Sequence, residues 1–163
     1  MLDKPKIVVL GVGNLLLQDE GVGVHVVETL LEEQLSYPNV EIIDGGTCPE
    51  FAYLVEGADK LIVVDAVEGG EKPGTIYRFG IDDVKQDFPA KMSLHQMGLI
   101  DNLRMLSIVG KQPKSIIIIG IEPKTIRLGM ELSPEIQGKI PEIVRLVRNE
   151  LAESISPPFT GED

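Results

Sequence analysis

Three residues carry the donor chemistry of a transition-metal contact: Glu20, Asp65 and His95, two carboxylates and one imidazole. They are far apart along the chain and no His-Glu-x-x-His pattern is present, so only the fold can bring them to one place. Each also has an ordinary structural use. Glu20 suits a helix N-terminus, Asp65 suits a loop cap after a buried strand, and His95 suits a partly buried position near a helix start. Gly11-Val12-Gly13-Asn14-Leu15-Leu16 invites comparison with the dinucleotide fingerprint. Leu16, however, stands where a third glycine lets helix and strand pack closely, and the acids of the following loop fall where a pyrophosphate would lie. Cys48 follows Gly45-Gly46-Thr47 near an expected helix N-terminus, a place that stabilises a thiolate; its base would be His95 or His25. His25 falls within a helical stretch and reads as structural, and the absence of a Gly-x-Ser-x-Gly elbow argues against a serine hydrolase.

The elements that must position these residues alternate between strand and helix. Ile7 to Val12 is a nearly continuous β-branched run ending in Gly-x-Gly, the pattern of a strand buried on both faces of a parallel sheet. Val22, Val26, Val27, Leu30 and Leu31 recur with helical spacing and predict a helix from about Glu20 to Ser36. Val40 to Asp44 forms a second strand that Gly45-Gly46 ends, and Thr47 with Glu50 makes a capping box for a helix reaching Gly57. Leu61 to Asp65 is the third strand, and Thr75 to Phe79 alternates as an edge strand. Ser93 to about Val109 predicts a helix ending at Gly110, with Leu106 and Ile108 among its apolar positions. Lys114 to Gly120 is the most hydrophobic stretch and reads as a central strand. Ser133-Pro134 opens the last helix, with Ile136, Ile140, Ile143, Val144, Val147 and Leu151 inward.

This alternation predicts a three-layer α/β/α sandwich, one domain over residues 1–155 with a disordered tail at 156–163. Ligands of such sheets collect beyond the carboxyl ends of the strands. Asn14, Asp19, Glu20, Asp44, Asp65, His95 and Glu122 all fall at that rim. The 163 residues are 43% apolar and 25% charged, enough for one core. A net charge of −11 disfavours nucleic acid and anionic membrane surfaces. The single cysteine excludes an internal disulfide and fits a reducing compartment. Gly11-Val12-Gly13-Asn14 interrupts the first apolar run before it can serve as a signal peptide, and no stretch reaches the ~20 residues of a membrane span. A cytoplasmic protein is expected.

Five motifs in order sharpen this picture: Gly11 to Val24, Asp44-Gly45-Gly46-Thr47, Val63-Val64-Asp65-Ala66-Val67, Ser93-Leu94-His95-Gln96 and Gly120-Ile121-Glu122-Pro123. Together they resemble the [NiFe]-hydrogenase maturation endopeptidases; the last 40 or so residues carry no matching motif. The resemblance implies a five-stranded mixed sheet between helices with one antiparallel edge strand, for which Thr75 to Phe79 is the candidate. It implies a peptidase that removes a C-terminal extension from the hydrogenase large-subunit precursor after nickel insertion. In that family the metal contacts fall on Glu20, Asp65 and His95, with Asp44 a further functional acid. The nickel is then contacted in the substrate precursor rather than kept permanently, and the enzyme is expected to be a monomer. A non-catalytic chaperone that recognises the nickel-loaded subunit fits the same residues, and a nucleotide-binding module on the same sandwich ranks last.

Overall fold

The computed structural model describes residues 5–33, 37–47, 54–81, 101 and 103–155. Five strands form one sheet: β1 (Ile7–Val12), β2 (Val40–Gly46), β3 (Lys60–Ala66), β4 (Ile76–Gly80) and β5 (Ser115–Ile121). Their spatial order is β2-β1-β3-β5-β4. The first four neighbours run parallel and β4 pairs antiparallel with β5 at the edge, as expected for the segment from Thr75. β1 and β3 occupy the middle, and every β1 residue is buried, which is why that strand reads as an unbroken apolar run rather than an alternation.

The pleat sends alternate residues into two cores. Ile7, Val9, Ile62, Val64, Ile119 and Ile121 face one side, where helix α1 (Val22–Glu32) contributes Val22, Val26, Val27 and Leu30. On that same side Ile143, Val147 and Leu151 come from the last helix. Val8, Leu10, Val12, Leu61, Val63, Ile116 and Ile118 face the other side, against Val55, Leu103 and Leu106. Leu103 and Leu106 belong to helix α2, of which residues 103–108 are described. Helices on both faces of one sheet make the three-layer sandwich. Full burial of a side chain of this size contributes about 1.5–3 kcal/mol, so both layers are held chiefly by these apolar stripes.

Some boundaries differ from the sequence reading. The first helix starts at Val22, after a separate 3-10 turn, Gln18–Gly21. The last helix is two: α3 (Pro134–Gln137) and α4 (Ile140–Ile155). Pro141 explains the break, because its ring would clash with the carbonyl of residue 137 in a continuous helix and it has no N–H to donate. Ile108 points outward at 84% exposure, whereas Leu103 and Leu106 are buried. β2 runs two residues past Asp44, with a register shift between Gly11 and Val12 that leaves Gly45 as the extra residue. The capping box at Thr47–Glu50 falls largely outside the described residues, as do most of the helix predicted from Ser93 and the tail 156–163.

One contact fixes how α1 sits on the sheet. A Cβ on Gly23 would stand 2.1 Å from the Val64 carbonyl oxygen and 2.5 Å from that of Val12. Only a glycine lets the helix start press directly on β1 and β3. The close helix–strand approach that Leu16 cannot provide is therefore supplied by Gly23, one turn into the helical segment.

Candidate active site

The carboxyl ends of the strands carry a rim of acids, and the local chain explains where each one goes. β1 ends at Gly13, whose φ of +142° turns the chain back on itself; a Cβ there would lie 2.0 Å from the Glu20 carbonyl oxygen. Asn14 then closes a turn, its Oδ1 accepting the Leu16 amide at 2.9 Å and its carbonyl accepting that of Leu17 at 3.1 Å. Gln18 follows in the left-handed region, φ 49°, and leads into the 3-10 turn that carries Asp19 and Glu20.

Asp19 is fully buried and accepts four hydrogen bonds. Its Oδ2 takes the amides of Lys124 (3.0 Å) and Thr125 (2.8 Å) and the hydroxyl of Ser133 (2.7 Å), while Oδ1 takes the Ser133 amide (2.8 Å). Its own amide donates to the Thr125 carbonyl at 3.0 Å. Asp19 thus ties the loop after β1 to the loop after β5. Glu122 does similar work: Oε1 accepts the amides of Gly69 and Glu71, each at 3.0 Å, and the Tyr77 hydroxyl at 2.6 Å. Burial of the phenol and the adjoining Glu122 carboxylate push the Tyr77 pKa up. Two of the rim acids are therefore consumed in holding loops together.

Glu20 and Asp65 are placed differently. Asp65 is the penultimate residue of β3, at 2% exposure, with Oδ1 accepting the Ala66 amide at 2.8 Å. Burial raises its pKa well above the usual carboxylate range, the Ala66 hydrogen bond opposes this, and the nearby charge of Glu20 raises it further. The turn Gln18–Gly21 packs against β3, so the fold brings the two acids to the same end of the sheet. Glu20 is only half-buried, so the pair steps from the interior toward the surface.

Asp44 stands apart. Its register partner on β1 is Gly11, whose partner on β3 is Val64, the residue before Asp65. Two strand spacings therefore separate Asp44 from the Asp65 position, about 10 Å. Asp44 is exposed, and its Oδ1 accepts the Gly46 amide at 3.0 Å. Gly46 in turn accepts the Gly13 amide at 2.9 Å, so the loops after β1 and β2 are joined. Among the described residues no three His, Cys, Asp or Glu side chains gather as a metal-binding group. His95 and Cys48 lie outside the described residues. His25 sits in the first turn of α1, half-buried, and among the described residues its Nε2 has no hydrogen-bond partner. Among the described residues no helix is long and apolar enough to cross a membrane.

A family model described as hydrogenase maturation protease matches residues 24–150. The chain belongs to that family. It is 40% identical over 158 residues to the hydrogenase expression/formation protein HupD of Thiocapsa roseopersicina, covering 94% of this chain and 71% of that one. To the hydrogenase 2 maturation protease of Escherichia coli strain K12 it is 36% identical over 151 residues, covering 91% and 92%. Its structure is similar to that of the hydrogenase maturating endopeptidase HybD from E. coli, with a TM-score of 0.80 at 36% identity and coverage of 91% and 93%. It is also similar to the [NiFe] hydrogenase maturation protease HybD from Thermococcus kodakarensis, with a TM-score of 0.73 at 29% identity and coverage of 89% and 98%.

In this maturation protease the rim divides by role. Asp19 and Glu122 are framework, each taking amides from loops of other strands, whereas Asp44 accepts the amide of its own turn and Asp65 that of the next residue. Sequence reasoning placed all five on the rim and singled out Glu20, Asp65 and Asp44, but it assigned no framework role to Asp19 or Glu122. Ser133 and Gln18 were missed as contributors. Ser133 was visible only as a helix cap, and nothing in the sequence marks Gln18 as a left-handed residue.

Proposed function

We propose that this maturation protease is an endopeptidase that removes the C-terminal extension of a [NiFe]-hydrogenase large-subunit precursor after nickel insertion, acting as a cytoplasmic monomer. Glu20, Asp65 and His95 contact the nickel carried by the substrate, which makes the loaded metal the recognition element. What supports this most directly is placement: the turn that carries Glu20 packs against β3, the strand that carries Asp65, so both acids lie at one end of the sheet. Two carboxylates with an imidazole suit a divalent first-row ion, and the repulsion that raises the Asp65 pKa is the kind a cation beside the pair relieves. Such an ion supplies Lewis-acid polarisation of a carbonyl or of water.

The chain's own residues do the rest. Asp44, exposed on its turn, takes a proton from the attacking water and returns it to the amine that leaves when the peptide C–N bond breaks. The ~10 Å between the Asp44 and Asp65 strand positions leaves room for the scissile peptide and that water. The test mixes the protein with a nickel-loaded precursor and, separately, with its nickel-free form, and weighs both products by mass spectrometry. Loss of a short C-terminal peptide from the loaded form alone is expected. Equal cleavage of both forms would remove the recognition role, and binding without cleavage of a cognate, nickel-confirmed precursor would make the protein a chaperone.

A further inference from the structure

The loops that Asp19 ties together carry an apolar ridge. Leu17 and Gly129 form a parallel bridge: the Gly129 amide donates to the Leu16 carbonyl at 2.9 Å, and the Gln18 amide donates to the Gly129 carbonyl at 2.9 Å. Leu16, Leu128 and Met130 are immediate neighbours of that bridged pair. Their exposures are 57%, 86% and 62%, and Ile126 adjoins them at 39%. Exposed loops are ordinarily polar, and three large apolar side chains side by side contribute nothing to the folded state while they face water. Yet this loop is held firmly, by the bridge on one side and by the buried Asp19 carboxylate on the other.

We propose that Leu16, Leu128 and Met130 form the surface on which the hydrogenase large-subunit precursor docks, through apolar side chains next to its metal centre. This rests on the reading given under Proposed function. Two observations choose the occupant. The ridge is continuous with the site: Leu16 to Gln18 leads directly into the turn bearing Glu20, whose amide donates to the Leu17 carbonyl at 3.2 Å. Its area is also small. The three side chains present on the order of 400 Å², half of the ~800 Å² per partner that a stable dimer buries. A second copy of this chain is therefore a poor occupant, whereas a substrate that must leave after cleavage needs a contact of this size. Rigidity adds to the fit, because a ridge already pinned loses little freedom on docking.

The test compares the wild-type chain with Leu128→Ser/Met130→Ser for dissociation constant and cleavage kinetics on the nickel-loaded precursor, with sedimentation of both proteins. The pair is exposed, so the variant should unfold at the wild-type temperature. Expected is a Kd and KM raised about tenfold with kcat unchanged. Unchanged Kd and KM in a folded variant would overturn the docking surface. So would a wild-type dimer that the variant converts to monomers, since the ridge would then belong to a second copy. If the wild type binds the precursor and the variant binds it weakly, but neither cleaves it, docking stands and the peptidase reading fails.

Discussion

Replacing Asp19 by alanine should unfold this protein more readily than removal of any other rim acid. The side chain is completely buried and accepts four bonds, two of them from Ser133, itself 8% exposed, and two from the part-exposed amides of Lys124 and Thr125. A hydrogen bond to a charged group is worth about 1.5–3 kcal/mol when its loss strands a buried partner, and less where water can take over. Counting the Ser133 pair in full and the loop amides at a fraction gives a loss of about 4 kcal/mol. For a chain of this length that corresponds to a Tm lowered by roughly 8–16 °C. Asp19→Asn separates hydrogen bonding from shape. With its oxygen in the Oδ2 position the amide keeps three bonds and sets one N–H against the Ser133 amide, so the loss should be about half as large. Urea unfolding monitored by circular dichroism, with m-values checked for constancy, measures both variants. A loss below about 1 kcal/mol for alanine, or equal losses for alanine and asparagine, would refute the framework role.

Gly23→Ala should cost about 3 kcal/mol or more, because the new Cβ meets backbone oxygens of two strands at 2.1 and 2.5 Å; Gly138→Ala, whose nearest neighbour is 3.4 Å away at a φ of −67°, should be neutral or slightly stabilising, and thermal melts distinguish the two. Glu150 is pulled upward in pKa by burial, but its bonds to Arg78 and Lys60 outweigh this and hold it below the usual range. Its stabilisation is therefore complete above the ordinary glutamate pKa of about 4.3 and is lost as pH falls through the lowered folded value, so urea midpoints of wild type and Glu150→Gln should converge in acid. Glu20→Gln should leave stability within about 0.5 kcal/mol of wild type, since the side chain is half-buried on a surface turn, while cleavage of the nickel-loaded precursor falls about 100-fold or more; a folded variant with wild-type cleavage would remove Glu20 from the site.

The sheet was legible because its signals are strong and local. Ile7 to Val12 and the isoleucine run of β5 are continuous and β-branched, which is how a parallel strand buried on both faces must read. The antiparallel edge at Ile76–Gly80 showed itself by alternation, since one face of an edge strand meets water. What escaped was set by contacts distant in sequence. The break before α4 was present in Gly138 and Pro141, but the inward positions Ile136, Ile140 and Ile143 keep a helical rhythm across it. Rhythm records which side faces the core and is blind to a missing hydrogen bond. That Asp19 belongs to the framework depended on where the amides of residues 124, 125 and 133 would arrive, more than 100 positions away.

Asp19 and Glu20 state the logic of the rim most sharply, because they are adjacent and of similar chemistry. One turn of 3-10 helix sends the first inward and leaves the second half-buried beside Asp65. A buried carboxylate is tolerable when amides and hydroxyls surround it, and Asp19 has four such donors. Asp65 accepts the Ala66 amide at Oδ1, and the charge of Glu20 stands nearby. Burial and repulsion both act against its charge, and both raise its pKa. A protein close to its stability threshold keeps such an arrangement where function needs it. The four bonds at Asp19 serve that need directly: they fix the turn on which Glu20 rides, so that the repelling pair holds its place instead of swinging apart into water.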